Sequence, residues 1–242
     1  MTALRVVQAA IAARADLPDH CLLSLEADAL GVTAVPGQYA MVRCSARHDP
    51  YLRRALPFLS ARGARMSFLF PTRDAGLHLL SRQPLGTGVD LLAPLGRGFA
   101  LPPAARHLLL ASEEGPLAPL LFLADAALSR DVAVTLALGS GLQPLAGLVP
   151  GAVELAATTV DAWTATAELL PWADQVAVAG DMEAMRTLAA CVPGLRPGLV
   201  QAWLEAPMAC GIGSCGACVA ELRRGPRRTC VAGPVFDLTE IV

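Results

Sequence analysis

Short apolar stretches separated by turn signals run through the first hundred residues of the chain. These stretches read LRVVQAAIA, CLLSLEA, QYAMVRCSA, RMSFLFP and GVDLLAPLG. Between them lie typical turn sequences, such as Val35-Pro36-Gly37 and Pro84-Leu85-Gly86. Several short strands at this spacing predict an antiparallel β-barrel or sandwich, which we place at residues 1–101.

From about residue 105 the pattern changes to strands that alternate with helices. HLLLAS, DVAVTLALG and QVAVAG have the composition of buried strands, while LAPLLFLADAAL and DMEAMRTLAACV favour helices. This alternation indicates a parallel α/β sheet, which we place at residues 105–204. Residues 205–242 are rich in Gly, Cys and Arg and form a third segment.

Composition narrows the class of protein. Of the 242 residues 54% are hydrophobic and 17% charged, which is typical of a folded chain and excludes a disordered one. The formal net charge of −2 provides no general attraction for nucleic acid or an anionic membrane. The longest apolar run, 117–128, is interrupted by Asp125 and is too short to span a bilayer. No signal peptide is predicted, so we expect a cytoplasmic location.

The strongest chemical signal is a group of four cysteines near the C-terminus. Their spacing is C-x4-C-x2-C-x11-C, which is the plant-type [2Fe–2S] ligand pattern with a shortened last interval. The predicted ligands are Cys210, Cys215, Cys218 and Cys230. A structural zinc site is the alternative, although zinc ribbons usually carry two separated C-x2-C pairs. The isolated Cys21, Cys44 and Cys191 are interpreted as small buried apolar residues.

The run MACGIGSCGAC, followed by CVAGPVF, resembles the C-terminus of the dihydroorotate dehydrogenase electron-transfer subunit. Upstream, DPYLRRALP resembles the flavin-anchoring sequence of that family, and LLAPLGRGF resembles one of its strand turns. The order of modules is also similar. The resemblance therefore implies a ferredoxin reductase-like fold with a flavin barrel, a parallel α/β nucleotide lobe and a C-terminal [2Fe–2S] loop.

The resemblance further implies an FAD on the barrel and a separate catalytic subunit that contains FMN and oxidises dihydroorotate to orotate. That partner is expected in a heterotetramer with two copies of each subunit, served by an external electron carrier. Flavin is the required converter, because nicotinamide transfers hydride and the cluster single electrons. No catalytic residue is expected on this chain itself. The implied FAD-binding residues are Arg54, Leu56, Pro57, Leu69, Phe70, Gly76 and Leu77.

The sequence departs from the family at both cofactor motifs. At the flavin strand Pro57 replaces a hydroxyl residue, and a register shifted to Pro57–Ser60 remains an alternative. Gly76-Leu77 has likewise lost a hydroxyl, although the following His78 could contact phosphate. Arg53-Arg54 could instead be an exposed charged turn.

The nucleotide lobe departs further. Where relatives carry a glycine run such as GGGIGVAPL, this chain has SEEGPLAPL at 112–120. Glu113 and Glu114 place negative charge near a pyrophosphate position, and Pro116 removes a backbone donor. Ala179-Gly180-Asp181 replaces a Cys-Gly-Pro segment. We therefore expect that NAD is not bound, and that these acids cap helices.

Three functions remain open on the sequence. The leading interpretation is an electron-transfer subunit of a dihydroorotate dehydrogenase-type complex. A reductase or diaphorase subunit of another redox complex is the second, but the GPVF sequence favours the first. The third is a non-catalytic subunit that has lost flavin and NAD binding.

Overall fold

The computed structural model describes residues 5–27, 32–47, 49–156, 161–192 and 194–242. Its first part is a closed six-stranded barrel with neighbours in the order β1-β2-β5-β4-β3-β6, and every pairing is antiparallel. The predicted β-rich half is thus a barrel and not a sandwich. Its elements are β1 (Arg5–Leu17), β2 (His20–Ala27), β3 (Tyr39–Val42), β4 (Arg54–Arg62), β5 (Arg65–Pro71), α1 (Ala75–Ser81) and β6 (Gly88–Leu95).

The barrel closes around a core made by alternating side chains of its strands. Successive residues of a strand point to opposite faces, so the buried positions of β2 fall on every second residue. Phe58 of β4 and Phe68 of β5 meet in this core with ring centroids 5.1 Å apart. The strand β4 carries the flavin-anchoring sequence and so lies within the barrel wall.

The second part is a six-stranded sheet, and five of its strands are parallel, as the alternating pattern predicts. In spatial order these five are β11, β10, β7, β8 and β9. Helices cover both faces of the sheet. The elements are β7 (His107–Ser112), α2 (Ala118–Leu128), β8 (Ala133–Leu138), β9 (Glu154–Leu155), α3 (Ala162–Leu169), β10 (Gln175–Gly180), α4 (Met182–Cys191) and β11 (Val200–Leu204). Two 3₁₀ segments, Ser140–Leu148 and Leu170–Trp172, link them.

Helix α2 is apolar on nearly all sides because it lies between the barrel and the sheet. Phe122 joins the barrel core, whereas Leu120 and Leu123 belong to the core on one face of the sheet. A helix buried all round needs such a composition. Its Asp125 forms an ion pair with Arg62 of β4, which ties the helix to the barrel wall.

The last segment, which we call the cysteine module (205–242), closes back onto both parts. Its elements are β12 (Val219–Leu222), β13 (Gly225–Arg228), α5 (Thr229–Ala232), β14 (Val235–Asp237) and α6 (Leu238–Ile241). Strand β14 extends the sheet by pairing antiparallel with β11.

The α/β lobe is also joined directly to the barrel. Trp203 Nε1 of β11 donates a buried hydrogen bond of 2.9 Å to the Gly37 carbonyl. In the described part of the chain, no helix has the length and apolarity to cross a membrane.

Candidate functional site

The loop that carries the first three cysteines depends on glycine. Gly211, Gly213 and Gly216 adopt φ angles of 73°, 79° and 77°, a left-handed conformation that other residues rarely adopt. At Gly211 there is also no room, because a Cβ would lie 2.5 Å from Cγ of Met41 on β3. The loop is therefore pressed directly onto the barrel.

The four thiols form two pairs. Backbone N–H groups of Ile212 and Cys215 lower the pKa of Cys210 to about 6, and the Cys215 thiol also contacts it. The pKa of Cys230 is raised to about 12, first by burial and second by its contact with the Cys218 thiol. The Cys230 backbone N–H lies 3.5 Å from Cys218 Sγ. Cys210 and Cys215 thus make one pair, and Cys218 and Cys230 the other.

Pairing suits a two-iron cluster, which takes two thiolates at each iron, whereas a zinc ion needs its ligands around one point. Thr229 offers a second sign of fit. Its backbone N–H donates to the Cys218 carbonyl, it adjoins Cys230, and its buried hydroxyl has no partner in the described part of the chain. A group with acceptor sulfur atoms would satisfy that hydroxyl.

Tyr39 of β3 holds the cysteine module on the barrel. Its hydroxyl is fully buried and lies 3.3 Å from the Gly211 carbonyl and 3.2 Å from the Cys230 carbonyl. Burial, and then the neighbouring thiols, raise the pKa of Tyr39, so the phenol stays protonated and donates. Tyr39, Met41 and Leu95 form one small core with Cys218 and Cys230. The second thiol pair is therefore shielded, while Cys215 is exposed.

The expected flavin residues Arg54 and Gly76 come together at the edge of the barrel. A Cβ at Gly76 would lie 3.2 Å from the Arg54 guanidinium, so glycine permits this approach. Arg54 Nε, however, donates to Asp74 Oδ1 at 2.9 Å, and Leu77 N–H donates to the same oxygen at 3.0 Å. Burial opposes ionisation of Asp74, but Arg54 and these backbone donors hold its pKa below the usual value. Guanidinium and backbone N–H groups suit a pyrophosphate, which would share them with Asp74.

The other expected flavin residues have buried side chains. Leu56 and Phe70 point into the barrel core, and Leu69 packs against the core beside α2. Pro57 is buried on β4 and is the register partner of Tyr39 on β3. The flavin strand and the residue that holds the cysteine module are therefore immediate neighbours. His78 is exposed, and its backbone bonds to Asp74.

A crevice of about 430 Å³ at the carboxyl ends of β7 and β10 occupies the usual nucleotide position of α/β folds. Its charged lining residues are all acidic, namely Glu113, Glu114, Asp181, Glu183 and Glu205. Two of these carboxylates cap helices. Glu113 accepts the Ala162 N–H of α3 at 2.6 Å, and Asp181 accepts the Ala184 N–H of α4 at 2.9 Å. Asp181 thus caps the helix that follows it, as the sequence predicts, whereas Glu113 binds the first turn of α3 and not that of α2, the helix it precedes.

Backbone donors are also scarce at the first turn beside this crevice. Pro116 precedes α2 and Pro119 lies within its first turn, and neither has an N–H. The Leu120 N–H is already bonded to the Leu117 carbonyl. Gly115 is needed for packing, since a Cβ there would lie 2.5 Å from the Ala179 carbonyl oxygen. The residues of the crevice therefore do not fit a dinucleotide pyrophosphate.

Comparison with known proteins identifies a cluster-binding domain and a ferredoxin reductase-like fold. Residues 205–242 match the family model described as the iron–sulfur cluster binding domain of dihydroorotate dehydrogenase B. The fold is that of the ferredoxin reductases. The NADH-dependent reduced ferredoxin–NADP oxidoreductase structure aligns with TM-score 0.79 and 21% identity over 96% of this chain and 88% of that one. Phthalate dioxygenase reductase aligns with TM-score 0.64 and 13% identity over 98% and 94%.

The particular resemblance is to electron-transfer subunits of dihydroorotate dehydrogenase B (NAD(+)), as the sequence predicts. The subunit of Desulforamulus reducens is 28% identical over 93% of both chains. That of Shouchella clausii is 29% identical, also over 93% of both. Because these alignments extend well beyond the cysteine module, barrel and lobe take part in the resemblance as well.

Sequence reasoning missed two residues that shape these sites. Asp74 is the N-cap of α1, and an aspartate just before a helix is a signal that the sequence offers. Its pairing with Arg54 could not be read locally, because the two residues are 20 positions apart. Tyr39 lies in a plain apolar strand. Nothing local distinguishes it from a core residue, since both of its acceptors lie more than 170 residues away.

We expect Cys218→Ser to lose the cluster, because serine breaks one of the two thiol pairs. Iron and acid-labile sulfide should fall to background after anaerobic purification. Cys191→Ser is the matched control, since Cys191 is partly exposed and lies outside the cysteine module. Full cluster content in the Cys218 variant would contradict the ligand assignment.

We expect Asp74→Asn to bind FAD about tenfold more tightly than the unaltered protein. Asparagine retains the helix cap, while the lost charge removes a repulsion that amounts to about 1–4 kcal/mol at contact distance. Arg54→Gln should weaken FAD binding. Fluorescence titration of the flavin-depleted protein measures both constants, with the exposed Arg73→Gln as control. Unchanged affinity in both variants would place the pyrophosphate elsewhere.

We expect that NADH does not bind with a low micromolar dissociation constant. Such an affinity corresponds to a binding free energy of about −8 kcal/mol. The crevice offers acids where a pyrophosphate needs donors, and each uncompensated charge contact costs about 1–4 kcal/mol. Isothermal titration with NADH measures this directly, and anaerobic bleaching of the flavin by NADH is an independent readout. A dissociation constant of a few micromolar would overturn this interpretation of the crevice.

Proposed function

We propose that this chain is the electron-transfer subunit of a dihydroorotate dehydrogenase-type complex in pyrimidine biosynthesis. It passes electrons between a catalytic flavoprotein subunit and an external carrier through a [2Fe–2S] cluster and FAD. The observation that carries the proposal is the pairing of Cys210 with Cys215 and of Cys218 with Cys230 in a module packed on the barrel. Full-length similarity to subunits with that name supports it.

The route between the two cofactors follows from neighbouring strands. Arg54 and Gly76 would hold the FAD pyrophosphate at the barrel edge, and β4 leads from Arg54 to Pro57. Adjacent strands lie about 4.8 Å apart, and Pro57 pairs with Tyr39, which contacts the cysteine loop. When bound, the flavin supplies the conversion between two-electron and one-electron transfer. The chain itself positions the two groups and excludes water at the second thiol pair.

The surface around the cluster loop suits a partner subunit. Ile212, Val219 and Val231 are 52%, 47% and 51% exposed, and we call these three side chains the apolar face. Cys215 is exposed within the same loop. An exposed apolar patch next to a redox centre is typical of a protein interface. We infer that the FMN-containing catalytic subunit docks here, in a heterotetramer with two copies of each chain in the cytoplasm.

A non-catalytic subunit is the second candidate, favoured by the carboxylates at both cofactor positions, Asp74 and the acidic crevice. An absorbance spectrum of the purified chain with acid extraction of flavin separates the candidates. Cluster bands with stoichiometric flavin support electron transfer. A colourless protein that still binds the partner would favour the scaffold and contradict the proposal.

We expect Ile212→Asp to abolish the hetero-oligomer with the catalytic subunit, because a carboxylate would be buried in the apolar face without a partner. Co-expression and size-exclusion chromatography measure assembly, and absorbance verifies that the variant keeps its cluster. Leu85→Asp is the matched control, because Leu85 is 64% exposed on a barrel turn away from the cysteine module. Unaltered assembly of the Ile212 variant, or equal loss with Leu85→Asp, would contradict the proposed interface.

A further inference from the structure

A polar groove of about 390 Å³ lies beside the cysteine module, and three arginines line it. We call it the arginine groove; the three are Arg97, which follows β6, Arg224 in the turn of the β12–β13 hairpin, and Arg227 of β13. All three are exposed, and none forms an ion pair with a carboxylate of the described residues. Their charge is therefore available to a partner.

Two acids share the groove with the three arginines and cancel part of their charge. Asp237 uses one carboxylate oxygen for the Gly198 N–H and the other for Thr239. Glu240 is the other acid in the lining. The surrounding hairpin, residues 219–228, carries four arginines against one glutamate in a chain whose formal charge is −2. Positive charge is thus concentrated at this one hairpin.

The arginine groove is close to the cluster but faces away from the apolar face. The hairpin joins Cys218 directly to Cys230, so both ligands adjoin its ends. Consecutive residues of a strand point to opposite sides, which separates Arg227 from Arg228. Arg228 is the register partner of the exposed Val219 and donates to the Gly213 carbonyl at 2.5 Å. Two partners could therefore use the two sides of this hairpin.

We propose that the arginine groove docks the acidic surface of a small iron–sulfur carrier protein that exchanges single electrons with the cluster. The proposal rests on the proposed function, for which it names the external carrier. In the direction of dihydroorotate oxidation the reduced [2Fe–2S] cluster loses one electron and the oxidised carrier gains it, and no bond or proton changes. A reduced carrier drives the same transfer in reverse. Such a carrier takes the place of NAD(H), for which the acidic crevice is unsuited.

A protein surface fits this groove better than a small anion does. A phosphate that entered it would approach Asp237 and Glu240, which line the same groove. An acidic protein surface meets the exposed guanidinium groups first and spans the distance from the hairpin to Arg97. Complementary charge on the two partners accelerates their association through long-range attraction, by about ten-fold to a thousand-fold at low salt.

The test uses the holoprotein with its cluster and a reduced, acidic plant-type [2Fe–2S] ferredoxin as probe. Stopped-flow absorbance under anaerobic conditions gives the second-order rate constant of cluster reduction as ionic strength varies. In the double variant Arg224→Glu, Arg227→Glu, we expect a loss of about ten-fold or more at low salt and a loss of the salt dependence. Arg186→Glu, at an exposed position on α4, is the control and should behave as the unaltered protein.

Absorbance and iron content verify that each variant retains its cluster. If the double variant does not, Arg97→Glu tests the same groove from a separate loop. Rates and salt dependence that stay unaltered in a variant with its cluster intact overturn the proposal. So does saturation of the groove by inorganic phosphate without any effect on the ferredoxin rate, which would make it a small-anion site.

Reduction of the cluster by dihydroorotate through the catalytic subunit is measured separately. Its absence in the unaltered complex would contradict the proposed function alone, because direct reduction by ferredoxin does not require the catalytic subunit. Normal reduction by dihydroorotate, together with a lost ferredoxin rate in the groove variants, supports both. The two failures are therefore distinguishable.

Discussion

The position of the redox centre depends on one buried side chain, Tyr39. Its hydroxyl is bonded to two carbonyls of the cysteine module, one on each side of the cluster loop. A phenol has one O–H hydrogen, which these two buried carbonyls share, so its loss would cost about 1–3 kcal/mol. The same strand pairs with β4, which carries the flavin sequence. Tyr39 therefore links the cysteine module to the strand that lies beside the flavin sequence.

Carboxylates bind backbone N–H groups at the first turns of three helices. Asp74 caps α1, Glu113 binds the first N–H of α3, and Asp181 caps α4. A helix N-terminus offers unpaired N–H groups and a positive dipole end, which a carboxylate or a phosphate satisfies equally well. Such contacts keep the helices stable without a ligand. Arg54 lies beside the first of these carboxylates and provides a positive charge there.

Sequence reasoning reached the architecture because local signals decide it. Apolar stretches of strand length, their alternation with helices and the C-x4-C-x2-C spacing are all short-range features. What it could not give were contacts between distant segments. Nothing in the chain order indicated that β14 would join the sheet beside β11, or that α2 would fill the space between barrel and lobe. The thiol pairs follow the chain order, yet only the folded loop brings Cys230 against Cys218.

The short last interval between cysteines has a structural consequence for how partners can share the cluster. Eleven residues between Cys218 and Cys230 suffice for one hairpin and no more. Because strand residues alternate, such a hairpin necessarily presents two different surfaces next to the same ligands. One surface carries Val219 with the other apolar side chains, and the other carries Arg227. A relay must receive an electron from one protein and give it to another, and a two-sided hairpin around the cluster allows both proteins to approach without competing for one face.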